Sequence, residues 1–453
     1  MPDQAAMTNV AAELPLSLVN SIALGRVANG RMEKLPTYMP RALDAAGSDH
    51  SLMVHRSIGA RVLDSAGSSY IDLCMGHGSL MLGHGAAPTK DALHRQLDLG
   101  WMHGFSHCVG ERVAELIHDA APGNERVMLC GSESDAAALA IRAARSYRGR
   151  DGIVVFSGAT HGLHDFALVT AAPIQTNDFG NRRNVHIGAG IPAHVDNDVT
   201  VLPYASDNDL DIISQRCDTL AAVIVEPIPS QRPSPKHGAW LKRLEALCYR
   251  CGVLLILDET FSGFRMGYGG AQVYFDLRPD LVVYGNALGG GLPIGAVAGK
   301  AQIMSVFGGG SFEQRIFCGT TPAGTPLSAA AAEAVLTILQ THRETIYPQL
   351  LQTTAELAAS FNSAADALGV AAHLYAAGSM FRIVFGIVAG TDSIVRRWQK
   401  EPRHREDVFY RQLFQRRVAV HQSKLCFLST AHTVADVAEI STALIQSLEA
   451  SAR

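Results

Sequence analysis

The chain has 453 residues, of which 47% are hydrophobic and 18% charged, and its formal net charge is −4. That length exceeds one ordinary core, so two or more packed lobes are expected. The balance is that of a well-cored globular protein. With no basic block it argues against a nucleic-acid partner, and with apolar runs no longer than a strand it argues against a membrane span.

Residues 1–20 carry Asp3 and Glu13 and lack a basic start before an apolar stretch, so no signal peptide is expected and the cytoplasm is the default location. Residues 61–73 read as a hairpin around a Gly/Ser turn. Residues 134–148 follow a helical pattern with one polar face. The runs at 153–156, 221–225, 253–257 and 281–284 are continuous Val, Ile and Leu stretches, the pattern of strands buried on both faces of a parallel sheet. Residues 240–250 read as a helix stopped by Gly252. This alternation predicts an α/β architecture, in which ligands sit at the carboxyl ends of the strands. A polar, Gly/Asn-rich stretch at 173–198 is long for a compact domain and reads as a candidate lid. Beyond about residue 325 the chain turns alanine-rich and helical at 326–340 and 349–368. Strand-like runs follow at 380–385 and 418–421, and a last helix starts at Thr433 with Asp436 as its capping partner. Eight cysteines are scattered, and only Cys248 and Cys251 form a CxxC pair. No second pair follows, so no metal is expected, and packing outweighs a redox role.

Three places carry candidate chemistry. Asp258 ends a strand with Glu259 beside it, which reads as either a site or a turn cap. Residues 129–135, Leu-Cys-Gly-Ser-Glu-Ser-Asp, leave a strand and open a helix, where free backbone N–H groups can cradle a phosphate. Residues 317–326 form a second, hydroxyl-rich turn. Each has a plain structural reading when taken alone.

Their order and spacing resemble the class III aminotransferases of the aspartate-aminotransferase fold, which depend on pyridoxal phosphate (PLP). The nearest resemblance is to the glutamate-1-semialdehyde aminomutase subgroup. It is carried by 258–265, Asp-Glu-Thr-Phe-Ser-Gly-Phe-Arg, by Tyr268-Gly269-Gly270-Ala271-Gln272, Val225-Glu226-Pro227 and Gly378-Ser379-Met380-Phe381, and by Ala431-His432-Thr433. It spans about residue 40 to the C-terminus. The fold implied is an α/β large domain with a mostly parallel sheet (86–330) and a smaller α+β domain from both termini (1–85 and 331–453). The resemblance implies that Asp258 holds the pyridine nitrogen protonated and that Gly131 and Ser132 bind the phosphate. It also places the His161-Gly162 pair beside the ring and Glu226 near the pocket, and has Thr321 reach the cofactor of a neighbouring subunit, so that a homodimer forms with active sites at its interface.

The same resemblance exposes departures. Asn286 stands where the family carries the lysine that binds PLP covalently, in the run Gly285-Asn286-Ala287-Leu288-Gly289-Gly290-Gly291. Thr160 stands where an aromatic stacks on the ring, and His77 where the subgroup has a tryptophan near substrate. Thr320 and Thr325 replace a glycine and an asparagine. An amide can neither form the covalent link nor shuttle a proton. The implied reading is an enzyme that binds PLP or pyridoxamine phosphate (PMP) without a covalent bond and acts on a small amino or keto acid or a natural-product amine. His161 or His77 would then move protons. Three alternatives stay open: an ordinary aminotransferase trapped by a Lys-to-Asn change, a PLP-independent enzyme reusing the pocket, and a non-catalytic dimer partner. Arg265 and Arg382 are candidates for holding a carboxylate, or else ordinary surface or ion-pair residues. Lys300 and Lys424 are poor substitutes for the missing amine.

Overall fold

The structure, a computed structural model, describes residues 52–171, 184–309, 311–386, 400–421 and 424–453. The expectations for residues 1–20, for the part of the small domain before residue 52, and for the first part of the candidate lid (173–183) lie outside these residues. In chain order the strands are β1 (Val54–Ile58), β2 (Arg61–Asp64), β3 (Ser69–Asp72), β4 (Arg126–Cys130), β5 (Gly152–Phe156), β6 (Val169–Ala171), β7 (Asn184–His186) and β8 (Val199–Leu202). They continue as β9 (Leu220–Val225), β10 (Leu254–Asp258), β11 (Leu281–Tyr284), β12 (Gly295–Gly299), β13 (Ala372–Ala377), β14 (Met380–Phe385), β15 (Val418–Ala419) and β16 (Cys426–Phe427).

The apolar runs become a seven-stranded sheet of order β4-β12-β11-β10-β9-β5-β8. β10 is parallel to β9 and β11, and β5 is parallel to β9 and β8. Only β12 runs antiparallel, against both β11 and β4. Alternate side chains enter two different cores. Val154, Val223, Val225, Leu255 and Leu257 pack on one face, with residues of the helices Cys108–Ala120 and Gly238–Cys251. Ile153, Val155, Ala222, Ile224 and Ile256 pack on the other, under the helix Glu133–Arg148. Both faces being covered is the physical reason these strands lack polar alternation. The sheet is therefore mostly parallel within an α/β fold.

The predicted hairpin is β2 and β3, turning at Gly67 with φ 82°. A four-stranded sheet β1-β2-β3-β15 joins it to the far end of the chain, and β13-β14-β16 form another. Of the run at 418–421 only Val418 and Ala419 pair as strand. β13 escaped the sequence reading because its mixed Ala-His-Leu-Tyr run has no clean period. The expected helix at 349–368 starts earlier, at Arg343, with Pro348 inside it. Left-handed glycines close three helices, at Gly149, Gly252 and Gly369. Thr433 and Asp436 form the expected capping box. Among the described residues no helix is long and apolar enough to cross a membrane.

Two glycines hold the turn after β11 against the start of the helix Glu133–Arg148. A Cβ on Gly285 would lie 2.5 Å from the Glu133 Cβ, and one on Gly295 would lie 2.2 Å from the Ser132 carbonyl oxygen. Gly295→Ala therefore forces backbone apart, with an expected loss of about 1–3 kcal/mol in urea unfolding. Gly104→Ala, which meets nothing within 4 Å, should stay within about 0.5 kcal/mol of the parent. Equal unfolding midpoints for the two variants would contradict this packing.

Candidate functional site

Parallel pairing brings the carboxyl ends of β5, β9, β10 and β11 to one edge of the sheet. Leu257 pairs with both Val225 and Val282, so Glu226, Asp258 and the turn beginning at Gly285 are neighbours along that edge. The loop after β5 adds Thr160 and His161.

A hydrogen-bond network links four of the predicted residues. His161 Nδ1 lies 2.6 Å from Asp258 Oδ2, with both side chains 2% exposed. The Thr260 N–H donates to Asp258 Oδ1 at 2.9 Å. Glu226 accepts from the Thr160 N–H at 3.2 Å and from the Ser230 N–H and hydroxyl at 2.7 and 3.1 Å. Burial pushes the His161 imidazolium down in pKa, but the Asp258 hydrogen bond and charge, helped by Glu226, more than offset it and the net shift is upward. Burial raises the Glu226 carboxyl, while the His161 charge and the Ser230 and Thr160 N–H groups work against that rise. His161 Nε2 is buried with no hydrogen-bond partner.

The loop carrying His161 is pinned to the helix Glu133–Arg148. The Leu163 N–H donates to Ser134 Oγ at 2.8 Å. Gly162, at φ 104°, lies so close that a Cβ there would sit 2.6 Å from the same oxygen. Ser132 caps this helix by accepting from the Asp135 N–H. Gly131 beside it is buried, and a Cβ there would meet Pro322 Cγ at 3.0 Å and Thr320 Oγ1 at 3.4 Å of the same chain. Thr321 is exposed on that turn.

Asn286 has φ 40°, a left-handed backbone that asparagine tolerates better than most side chains. It is partly exposed and makes no side-chain hydrogen bond among the described residues. His77 is exposed on the loop after β3 and makes no hydrogen bond to the Asp258 network.

Other sequence candidates take structural parts. Glu259 is fully buried and accepts from the Ser262 hydroxyl and the Ala271 and Gln272 N–H groups, which holds the helix Gly270–Tyr274. Burial pushes its carboxyl up to about 7. Arg265 is 2% exposed and Arg382 5%, so neither is a surface residue. Arg265 donates to Ser379 Oγ and to the Leu428 and Gly78 carbonyls, and lies over the Phe427 ring. Lys300 pairs with Asp280 at 2.7 Å, next to Gly299 and Leu281 at the opposite edge of the sheet from Asn286. The Cys251 thiol neighbours Cys217, while Cys248 is buried in the core. The positioning parts of Ser134, Ser230 and Thr260 were missed. They act through backbone hydrogen bonds and close approach, for which a sequence offers no pattern.

Residues 43–397 match the family described as aminotransferase class III. The chain is 35% identical to glutamate-1-semialdehyde 2,1-aminomutase 1 of Cenarchaeum symbiosum, over 85% of this chain and 89% of the relative. Its fold superposes on an omega-transaminase from Sphaerobacter thermophilus with a TM-score of 0.84 at 28% identity, covering 93% of this chain and 95% of that one. A transaminase with PLP bound gives a TM-score of 0.79 at 27% identity, covering 92% and 95%.

The His161–Asp258 pair makes stability depend on pH. The folded imidazole binds its proton more tightly than the unfolded one, so the contribution is complete below about pH 6.5, the unfolded value. It is lost as pH rises through the higher folded value. The unfolding free energy of the parent should thus fall, as pH rises above about 6.5, more steeply than that of His161→Gln. Parallel curves for the two proteins would remove the pair as a source of stability.

Proposed function

The chain belongs to the class III aminotransferases, and on that basis we propose that it is a PLP or PMP enzyme without a covalent cofactor link, acting on a small amino or keto acid or a natural-product amine. In this reading Asn286 occupies the position of the cofactor-binding lysine. The observation that carries it is the place of Asn286: it opens the turn after β11, one strand over from Asp258, on backbone packed against Ser132 and Glu133.

The residues fit such a group. A buried carboxylate backed by an imidazole stands at a strand end, a buried imidazole nitrogen lacks a partner, and a turn with little room for a Cβ opens a helix. When bound, the cofactor supplies an electron sink for the pair released beside the amino group. Asp258, hydrogen-bonded to His161 and the Thr260 N–H, would keep the pyridine nitrogen protonated. Gly131, Ser132 and the N-terminus of the helix Glu133–Arg148 would take the phosphate. Glu226 fixes the Thr160–His161 loop from below. Thr160 leaves the space of a stacking aromatic open, and Asn286 offers a neutral amide that hydrogen-bonds but does not move protons. His161, through Nε2, is then the group of this network placed to hold a proton.

The same reading includes a homodimer. Phe105, Phe312 and Phe317 are 87%, 84% and 85% exposed, and Trp101 61%. Large aromatics left in water in this number support a partner surface. Thr321 lies near Phe317 in sequence, which agrees with its reaching a partner's cofactor.

Titration of the protein with PLP and with PMP should give saturable changes in cofactor absorbance that dialysis reverses. Asp258→Ala should abolish them, and no change with either cofactor would sink the proposal. Asn286→Lys should make PLP binding resistant to dialysis after borohydride treatment. By restoring a general base, it should raise transamination by roughly 10²–10⁴-fold. Phe105→Glu combined with Phe317→Glu should shift sedimentation from dimer to monomer; an unchanged dimer would exclude this surface.

A further inference from the structure

A second cluster of reactive side chains lies outside the Asp258 network. β3 and β15 pair in parallel, with Ile71 opposite Val418 and Asp72 opposite Ala419. Carried two residues further, that register sets Cys74 beside His421. The chain then coils back through Met75, Gly76, His77 and Gly78, at φ 46°, 60°, 56° and 91°. Left-handed backbone at Met75 and His77 is strained and persists only where the surroundings impose it. Those surroundings are visible. Asp72 Oδ1 accepts from the Cys74 and Met75 N–H groups at 2.7 and 3.1 Å, the Arg265 guanidinium donates to the Gly78 carbonyl, and Phe427 fills the space where Gly78 would carry a Cβ.

The result of this coil is that the His77 ring stacks on His421, with centroids 5.1 Å apart and planes within 7°. Cys74 Sγ and one ring nitrogen of each histidine all lie within 4.8 Å of one another. Zinc bonds of about 2.3 Å to sulfur and 2.0–2.1 Å to nitrogen put tetrahedral ligand atoms roughly 3.3–3.6 Å apart. Small side-chain rotations close that gap. A thiolate with two imidazoles is a donor set for a borderline-soft divalent ion. The exposure of His77 leaves one side open, as in zinc sites that keep a fourth position for water or a ligand. The Asp72 carboxylate adds favourable charge and the Lys424 ammonium opposes it, since both act on His77.

We propose that Cys74, His77 and His421 form a three-ligand site for a divalent cation, zinc by its donor set, with a fourth position open. Loading replaces the Cys74 S–H bond with a sulfur–metal bond and releases that proton to solvent. The site shares no residue with the Asp258 hydrogen-bond network, although His77 is the residue that the resemblance sets near substrate.

The test is titration of the full-length protein with Zn²⁺ by calorimetry and with Co²⁺ by absorbance, with no PLP added. One equivalent should bind, and Co²⁺ should show tetrahedral visible bands with a thiolate charge-transfer band. Loss of outer-sphere partners alone weakens metal sites roughly 10–100-fold, so His77→Ala and His421→Ala should each cost at least about 10-fold. Cys74→Ser should remove the charge-transfer band, whereas Cys251→Ser should leave it. Uptake indifferent to all three site variants would mean scattered surface histidines and would overturn the proposal, as would no stoichiometric uptake. If Cys74→Ser loses its circular-dichroism signature of folding, His77→Ala on its exposed loop decides the question.

Discussion

The short contact between His161 and Asp258 is the constraint around which this site is organised. A core strand whose other residues are all apolar ends in a carboxylate that is 3% exposed. An unpaired charge there would cost several kcal/mol in desolvation. The imidazole and the Thr260 N–H offset that cost, and both need their backbones fixed. The fixing reaches outward: Gly162 lies flat on Ser134, Glu226 draws in the Thr160 and Ser230 N–H groups, and Gly285 and Gly295 let the next turn press on Ser132 and Glu133. Four loops from four strand ends thus share one set of close approaches.

Much of this was legible in the sequence. The runs at 221–225 and 281–284 state their strands because both faces are covered, and Gly252 states the end of its helix by its freedom to turn left-handed. Asp258 and Gly131-Ser132 were singled out because strand ends and helix starts have chemical signatures. The same reasoning left Asp258 and Glu259 together between a site and a cap; the Glu259 oxygens face the N–H groups of another helix. It also left Arg265 between a ligand clamp and a surface residue, when it is an interior clasp for the Gly78 carbonyl. Side-chain direction past a strand end is set by loop packing, which leaves no periodicity in a sequence. For the same reason the meeting of Cys74 and His421 was invisible before the register of β3 and β15 was known.

Membership of the class III aminotransferases fixes the scaffold more firmly than the chemistry. In the proposed reading the scaffold supplies a carboxylate anchor, a helix start for the phosphate and a turn between them. What the chain then does depends on the amine or amide offered at that turn. In the reading proposed above, Asn286 leaves binding and chemistry to groups that ordinarily only assist, and the departures at Thr160 and His77 lie in the same neighbourhood by resemblance.

The pairing of β3 with β15 also bears on how the chain reaches its fold. Tyr70 and Arg417 hydrogen-bond across a sequence separation of 347. Until the last tenth of the chain is available, β3 presents an unpaired edge, and such edges recruit other strands. Contacts of this range also close slowly, because the loop entropy precedes the reward. During synthesis, the N-terminal hairpin therefore waits through the formation of the whole central sheet. A chain cut short before residue 418 would keep its large sheet yet expose a sticky edge, which makes C-terminal truncation a route to aggregation rather than to a smaller working protein.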